Sequence, residues 1–415
     1  MSVGSSKTKR FKVLWLTSSY PRNEDDSSSI FLRYLAEALS TRQIDIQILS
    51  PDHPEIQNTE QASGITSRHF TYFFPRKLQK LAYGSGILPN LRAAPWLLLQ
   101  VPFFIISMLV TAAGLIFRDR PVLIHAHWIF PQGTVAVVLG KIFRIPTIVT
   151  AHGGDAFALQ GLFIGAIKRW TIKSCSAWTS NTRATAVAVG SDLPTPCVIP
   201  MGINCKKFLD LDTEKIPLRP DPEKLVLLFV GRLVEKKGVA DLLRAYALLP
   251  EVLRKQTELW IIGDGSERKK LEMLAIDIEY INSIRFWGRI PNQKLPGYYA
   301  SADIFIAPSI KDMHGDTEGQ GVMLLEAMAS RLPIITTNVG GIGSVITHEE
   351  TGLLVNPGKP KEIAMAIERL LNDNKLRARL SLKAFEVVQD YDWLTISEKF
   401  ISLYRESKIG AKNEF

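Results

Sequence analysis

The feature that most constrains this chain is a rhythm that occurs twice. Short apolar runs of strand length, at 11–17, 45–50, 121–126, 146–151, 176–180 and 196–200, alternate with stretches of helical periodicity such as 29–40, 132–143 and 161–173. A segment rich in Pro, Asp and Lys follows at 200–223, and then the rhythm restarts. Its second round has strands at 225–230, 258–263, 284–287, 303–307 and 333–337, helices at 238–249, 266–278 and 320–330, and closing helices at 360–373, 375–390 and 393–406. Alternation of this kind makes strands parallel and covers their sheet with helices on both faces. Two rounds predict an α/β chain with two tandem doubly wound, Rossmann-like domains and a cleft between the carboxyl edges of their sheets. The length of 415 residues agrees, being too long for one ordinary core.

Doubly wound domains host many chemistries, and two lose ground at once. A dinucleotide fingerprint needs G-x-G-x-x-G directly after a strand. Gly263-Asp264-Gly265 and Gly341-Ile342-Gly343 supply only its first two glycines, and the sequence has no P-loop.

The strongest local signal runs from Asp316 to Ala329, from a loop into a helix. Gly319 and Gly321 let backbone approach a ligand, and the free N–H groups of Gln320, Gly321 and Val322 can point at a diphosphate or a sugar. Glu318 and Glu326 are eight positions apart, so within one helix they would share a face. A carboxylate at the entrance suits sugar hydroxyls, and one further in suits the vicinal diol of a ribose. The second signal is Gly231-Arg232-Leu233-Val234-Glu235-Lys236-Lys237-Gly238, at the carboxyl end of the first strand of the second round. Arg232 and Lys237 there can neutralise a leaving diphosphate.

Together and in this order, these stretches resemble the retaining glycosyltransferases of family four, which have the two-domain GT-B fold. The E-x7-E motif of that family matches Glu318 and Glu326, and its G-R-x4-K-G element matches Gly231, Arg232, Lys237 and Gly238. Gly263-Asp264-Gly265, Phe286-Trp287-Gly288 and Thr351-Gly352-Leu353-Leu354-Val355 also look like its elements, and the resemblance covers nearly the whole chain. It implies an acceptor-binding domain at 1–205, a donor-binding domain at 206–390, and at 391–415 a helix that crosses back to the first domain. It further implies that Arg232 and Lys237 hold the diphosphate, that Glu326 binds ribose, and that Glu318 with the backbone of 319–322 holds the transferred sugar. Gly263, Arg289 and Ile290 would complete the donor site, the last two beside the base. Family members need no bound metal or other cofactor, the nucleotide sugar being a co-substrate. Asp210-Leu211-Asp212 imitates the D-x-D of metal-dependent transferases but lies in the linker.

In the first half, Thr150-Ala151-His152-Gly153-Gly154-Asp155 resembles the H-G-x-D of polysaccharide-assembling members. His152 would then lie against the donor sugar as a catalytic group, with Asp155 facing the acceptor. Ile124-His125-Ala126-His127-Trp128 ends another strand, and alternation turns His125 and His127 to one side, which makes His127 an expected acceptor contact. Family members usually carry Gly in the loop after the first strand; here Ser27-Ser28-Ser29 stands there, and a serine can cap the helix that follows.

Charge and cysteine usage bear on the partner. Residues 60–175 hold twelve Lys or Arg against three Asp or Glu, which accounts for the whole net charge of +9. A basic surface confined to that part predicts an anionic partner. Interleaved stacking aromatics of a nucleic-acid module are lacking; the family resemblance, together with this charge placement, implies a membrane-borne or lipid-linked glycan as acceptor. Residues 97–117 carry no charge and are long enough to span a bilayer, but contain Gln100, Pro102, Ser107, Thr111 and Gly114. A buried or membrane-lying helix is the preferred reading, and the run of aromatics and cations at 70–77 resembles an interfacial segment or a strand and turn. Cys175, Cys197 and Cys205 have no metal spacing and cannot all pair, which fits a reduced, cytoplasmic setting at the inner face of the membrane. The rival readings are a nucleotide-sugar epimerase, a glycan phosphorylase needing lysine-bound pyridoxal phosphate, and a non-catalytic nucleotide-sugar-binding subunit.

Overall fold

A computed structural model describes residues 11–413 apart from 24–25, 27, 57–62, 85, 160, 211–218, 220 and 279–280. Asp212 and Leu211 therefore lie outside the described residues, as does Ser27.

Two parallel sheets result from the two rounds of alternation. The first holds β1 (Phe11–Leu16), β2 (Ile44–Pro51), β3 (Ile65–Phe70), β4 (Leu123–His127), β5 (Thr147–Ala151), β6 (Ala177–Ser180) and β7 (Cys197–Val198), in the order β3-β2-β1-β4-β5-β6-β7. The second holds β8 (Leu225–Val230), β9 (Thr257–Ile262), β10 (Ile284–Gly288), β11 (Ile304–Ala307), β12 (Ile334–Thr337) and β13 (Leu353–Val355), in the order β10-β9-β8-β11-β12-β13. Central strands such as β8, Leu-Val-Leu-Leu-Phe-Val, are apolar without alternation because helices cover both faces. In each sheet the order reverses beside the first strand, between β1 and β4 and between β8 and β11. Crevices at such reversals collect ligands, so the loops after β1, β4, β8 and β11 frame the site.

Two strands escaped the sequence reading, and both are edges. Strand β3 is polar over its middle, and β13 has three residues, so neither shows a long apolar run. Phe70 ends β3, 71–75 continues as irregular chain beside a long helix, and Arg76–Leu78 forms one short 3-10 turn.

The helices used below are α1 (Ile30–Thr41), α2 (Gln100–Asp119), α3 (Val322–Ala329) and α4 (Trp393–Asn413). Helix α4 returns to the first sheet: Trp393, Ile396, Phe400, Ile401, Leu403 and Tyr404 are buried in one cluster with Trp15, Leu32 and Leu35. At about 2 kcal/mol per buried apolar side chain, that contact holds the crossing segment firmly. The two passages between sheets also run side by side, Ile203 N donating to Tyr391 O at 2.8 Å and Trp393 N to Ile203 O at 3.1 Å.

Candidate active site

The wall built by the second sheet centres on Lys237. It sits in the tight turn Glu235–Lys237 after β8, buried, with Nζ 3.0 Å from Glu318 Oε1. Its neighbour Lys236 pairs with Asp316 at 2.9 Å and donates to Thr317 O at 3.1 Å. Burial alone would raise the Glu318 carboxyl, but Lys237 and Lys236 hold it below its ordinary value. Burial pulls Lys237 down against the opposing field of Glu318. Gly263 lies across from Gly231, where any Cβ would collide with the Gly231 carbonyl, so it serves backbone packing behind this wall. Arg232 and Arg289 are exposed at the rim, and Ile290 packs half-buried on the core of the second sheet.

Glu318 and Glu326 do not share a helix face. Helix α3 begins at Val322, after Gly321 has turned the chain with φ 79°, so Glu318 stands in the preceding loop and Glu326 in the second turn. The spacing rule failed because the loop runs three residues past Glu318 before helical geometry starts. Glu326 Oε2 accepts from Tyr299 Oη at 2.7 Å, and burial raises its carboxyl despite that bond and the nearby Lys207 and Lys237.

Gln320 adds a structural role to the one expected of its backbone. Its side chain reads the backbone of Met201, Nε2 donating to Met201 O at 3.0 Å and Oε1 accepting from Met201 N at 2.7 Å. Being buried, the amide ties the loop to the interdomain passage. Val322 likewise packs on the core of the first sheet.

The opposite wall comes from the ends of β4, β5 and β6. His152 follows β5, and Gly153 then takes φ 106° against Gly319 of the other domain. A Cβ on Gly153 would stand 2.9 Å from Gly319 Cα, and one on Gly319 would stand 2.8 Å from His152 O. Only glycine at both positions permits this crossing of backbones. Thr182, after β6, donates to Gly319 O at 3.0 Å, and Asn181 Nδ2 reaches toward His152 O at 3.5 Å. The carboxyl ends of the two sheets therefore meet at Gly319, one residue from Glu318.

Two expected acceptor contacts are turned inward instead. Asp155 is buried, Oδ2 accepting from Ile129 N at 2.8 Å and Oδ1 from His152 N at 3.0 Å, while buried Lys168 donates to Asp155 O at 2.8 Å. It shapes the loop that carries His152 and presents no group to an acceptor. His127 is wholly buried behind His152, its Nδ1 3.1 Å from His152 Nε2. His125 is engaged at both nitrogens, by Tyr404 Oη and Thr150 Oγ1 at 2.7 Å each. Burial pushes His125 and His152 down to about 3 and His127 well below its ordinary value, leaving all three neutral.

In the loop after β1, Ser29 adopts the left-handed conformation with φ 51° and ψ 36° and makes no side-chain cap. Its Oγ bonds Ser19 Oγ at 2.6 Å. Serine thus takes up a backbone shape that favours glycine. Buried Asp26 in the same loop binds Arg22 Nε at 2.6 Å and faces Arg289 across the domains at 3.9 Å.

Two family models match this chain in tandem: Glycosyltransferase Family 4 over residues 28–207 and Glycosyl transferases group 1 over 211–387. The chain belongs to the family 4 glycosyltransferases. An uncharacterised glycosyltransferase of Methanocaldococcus jannaschii is 28% identical over 95% of this chain and 98% of its own. TuaC of Bacillus subtilis, provisionally a teichuronic acid biosynthesis glycosyltransferase, is 25% identical over 91% of this chain and 94% of its own. Among solved structures, sucrose-phosphate synthase of Thermosynechococcus elongatus superposes with a TM-score of 0.76 at 21% identity, covering 96% and 99% of the two chains. HepE of Anabaena, solved with UDP-glucose, gives 0.69 at 18% identity, covering 95% and 99%. The fold is GT-B.

For a family 4 enzyme, Lys237, Glu318, Gly319 and His152 come together at the meeting of the sheets, with Glu326 further along α3 and Arg232, Arg289 and Ile290 toward the rim. The sequence reading missed Tyr299, which holds Glu326, and Asn181, Thr182 and Trp128. Trp128 carries a weak signal in hindsight, an aromatic directly after a strand end; it adopts φ 77° and packs its ring 5.0 Å from that of His152.

Proposed function

We propose that this family 4 glycosyltransferase moves a sugar, with retention of anomeric configuration, from a nucleotide-diphosphate sugar onto a lipid-linked or membrane-borne glycan in cell-envelope polysaccharide assembly. The observation that carries the reading is the buried Lys237–Glu318 pair, 3.0 Å apart, one residue from the crossing of the two backbones. Lys237 and Arg232 neutralise the diphosphate, Glu326 binds the ribose diol, and Arg289 and Ile290 flank the base. Glu318 and the backbone of 319–322 hold the sugar against His152.

Transfer proceeds on one face of the sugar. The bond from the anomeric carbon to the diphosphate oxygen breaks, the acceptor oxygen bonds that carbon, and the acceptor proton passes to the departing diphosphate. The cationic side chains stabilise charge where it develops, and positioning supplies the rest, so the reaction runs with the protein's own charges and without a metal ion. Incubation with nucleotide sugars and a membrane-lipid extract tests this. The expected result is release of nucleoside diphosphate and a product of unchanged anomeric configuration, insensitive to a chelator. A glycosyl-enzyme adduct in the intact mass spectrum would replace it with double displacement through Glu318, and donor consumption without acceptor would favour the epimerase.

The membrane side of the proposal rests on α2. One face, with Phe104, Met108, Ala112, Leu115 and Ile116, is buried in the first domain; a bilayer span would have to extract it. The other exposes Phe103, Ile106, Val110 and Phe117. The neighbouring loop adds exposed Phe74, Arg76 and Lys77, with Arg92 and Arg118 nearby. An apolar stripe with a cationic border suits the anionic, inner surface of the cytoplasmic membrane. Cosedimentation with anionic but not zwitterionic vesicles, abolished in Phe103→Asp/Val110→Asp, is expected; equal recovery of that variant would refute it.

A further inference from the structure

The carboxylate assigned to the ribose, Glu326, is held from behind. It is half-buried in the second turn of α3, and the ammonium groups of Lys207 and Lys237 are near enough to act on it. Among the described residues it makes no ion pair with either, and the hydrogen-bond partner of its carboxylate is Tyr299, whose Oη donates to Oε2 at 2.7 Å. Oε1 is left unpaired. The same hydroxyl lies 3.5 Å from Met323 O, too long a contact to compete. Tyr299 has no room to turn: its ring is wholly buried, set edge-on to Phe208 at 5.7 Å and tilted against Phe305 at 5.6 Å. Phe208 belongs to the short helix Lys206–Leu209 on the interdomain passage, and Phe305 to β11.

We propose that Tyr299 is a positioning residue for nucleoside recognition: its hydroxyl fixes Glu326 Oε2 and so presents Oε1 to the ribose diol. The inference rests on the ribose role proposed above for Glu326. A glutamate side chain has three torsions, and one left loose beside two cations would settle on one of them. A carboxylate paired with an ammonium has less to offer a neutral hydroxyl. A phenol avoids this, because it fixes one oxygen without neutralising the charge. Burial, reinforced by the Glu326 carboxylate, pushes the Tyr299 hydroxyl well above its ordinary value, so it keeps its proton and donates. Ordering the acid before the nucleotide arrives removes an entropic cost that binding would otherwise carry.

The consequence is a selective one. A contact to ribose is the same in the ground state and the transition state, so weakening it raises KM and spares kcat. It also acts only on nucleotides that carry the diol. A tyrosine that merely satisfied a half-buried carboxylate would leave the preference for ribose over its dideoxy form untouched.

The test is titration calorimetry on the full chain with UDP, GDP and ADP and with their 2′,3′-dideoxy counterparts. Tyr299→Phe removes the hydroxyl and keeps both ring contacts. Wild type should bind one ribonucleotide at least about tenfold more tightly than its dideoxy form. Tyr299→Phe should weaken the ribonucleotide by about tenfold and the dideoxy form by less than about twofold, with kcat at saturating nucleotide sugar also within about twofold. Glu326→Ala should lose the preference by itself, and adding Tyr299→Phe to it should cost no more than about twofold, because the tyrosine acts through the acid. A Tyr299→Phe variant that keeps the preference, or that weakens both forms alike, overturns the proposal while the ribose role of Glu326 stands. A Glu326→Ala variant that keeps the preference, or a wild type that binds none of the three nucleotides, overturns the reading of Glu326 and the proposal with it.

Discussion

Lys237 Nζ stands 3.0 Å from Glu318 Oε1, with the two side chains 10% and 9% exposed. The pair bridges the loops after β8 and β11, at the strand-order reversal where ligands gather. Each charge is tolerated only because the other is present. Removing one partner of such a pair costs about 3–5 kcal/mol, since the survivor is left buried alone. Lys237→Ala should therefore destabilise the protein by about 3 kcal/mol in urea titrations, and Lys237→Met/Glu318→Gln by less than the two single changes together.

The crossing of Gly153 over Gly319 makes a sharper prediction. Gly153→Ala places a methyl 2.9 Å from Gly319 Cα on a backbone with φ 106°. Activity should fall by about 10²-fold, since small misplacements at a reaction centre are costly. Gly154→Ala is the control: a Cβ there meets nothing within 4 Å, so the rate should stay within about twofold.

Gln320 is predicted to act on domain coupling. Gln320→Leu deletes both bonds to Met201 and leaves its buried N–H and C=O unpaired across the interface. A loss of about 2–6 kcal/mol follows, at roughly 1–3 kcal/mol per unsatisfied group. Urea unfolding and turnover should both register it, whereas a donor contact would weaken nucleotide binding alone.

Acid should weaken the fold through the buried histidines. His125 is held down to about 3 and His127 well below its ordinary value, both by burial. The unfolded chain binds those protons near pH 6.5, and the native state refuses them, so stability is complete above that pH and lost as pH falls toward 3. Each histidine contributes a slope of about 1.4 kcal/mol per pH unit in that window. Asp155 and Glu326, raised by burial, act in the opposite direction. Urea midpoints at pH 7.5, 6 and 5 should fall steadily, and His125→Phe should flatten the trend.

Much of this architecture was legible because parallel strands covered on both faces must be apolar runs, as β8 is, and only the polar or short edges β3 and β13 were lost. The positions of Lys237, Glu318 and His152 at strand ends followed from the same alternation. The partners of Gln320, Asp155 and His127 did not, because each depends on which backbone or ring a distant segment brings alongside. Met201 lies 119 positions before Gln320, and Tyr404 lies 279 beyond His125. Periodicity reports the face a residue takes, and long-range packing decides what it touches. Tyr299 beneath Glu326 shows the same limit, since a tyrosine 27 positions away carries no local sign of its bond.

The central claim is that Lys237 anchors a nucleotide diphosphate. It is tested most directly by a thermal-shift panel with UDP, GDP, ADP and their sugar conjugates on wild type and Lys237→Ala, each read against its own unliganded melt. A ligand at a hundred times its dissociation constant stabilises by about 2.7 kcal/mol. The prediction is that one nucleotide series raises the melting temperature of wild type and leaves that of Lys237→Ala unmoved. A wild type that responds to none of the series, or a Lys237→Ala variant that responds as fully as wild type, would contradict it.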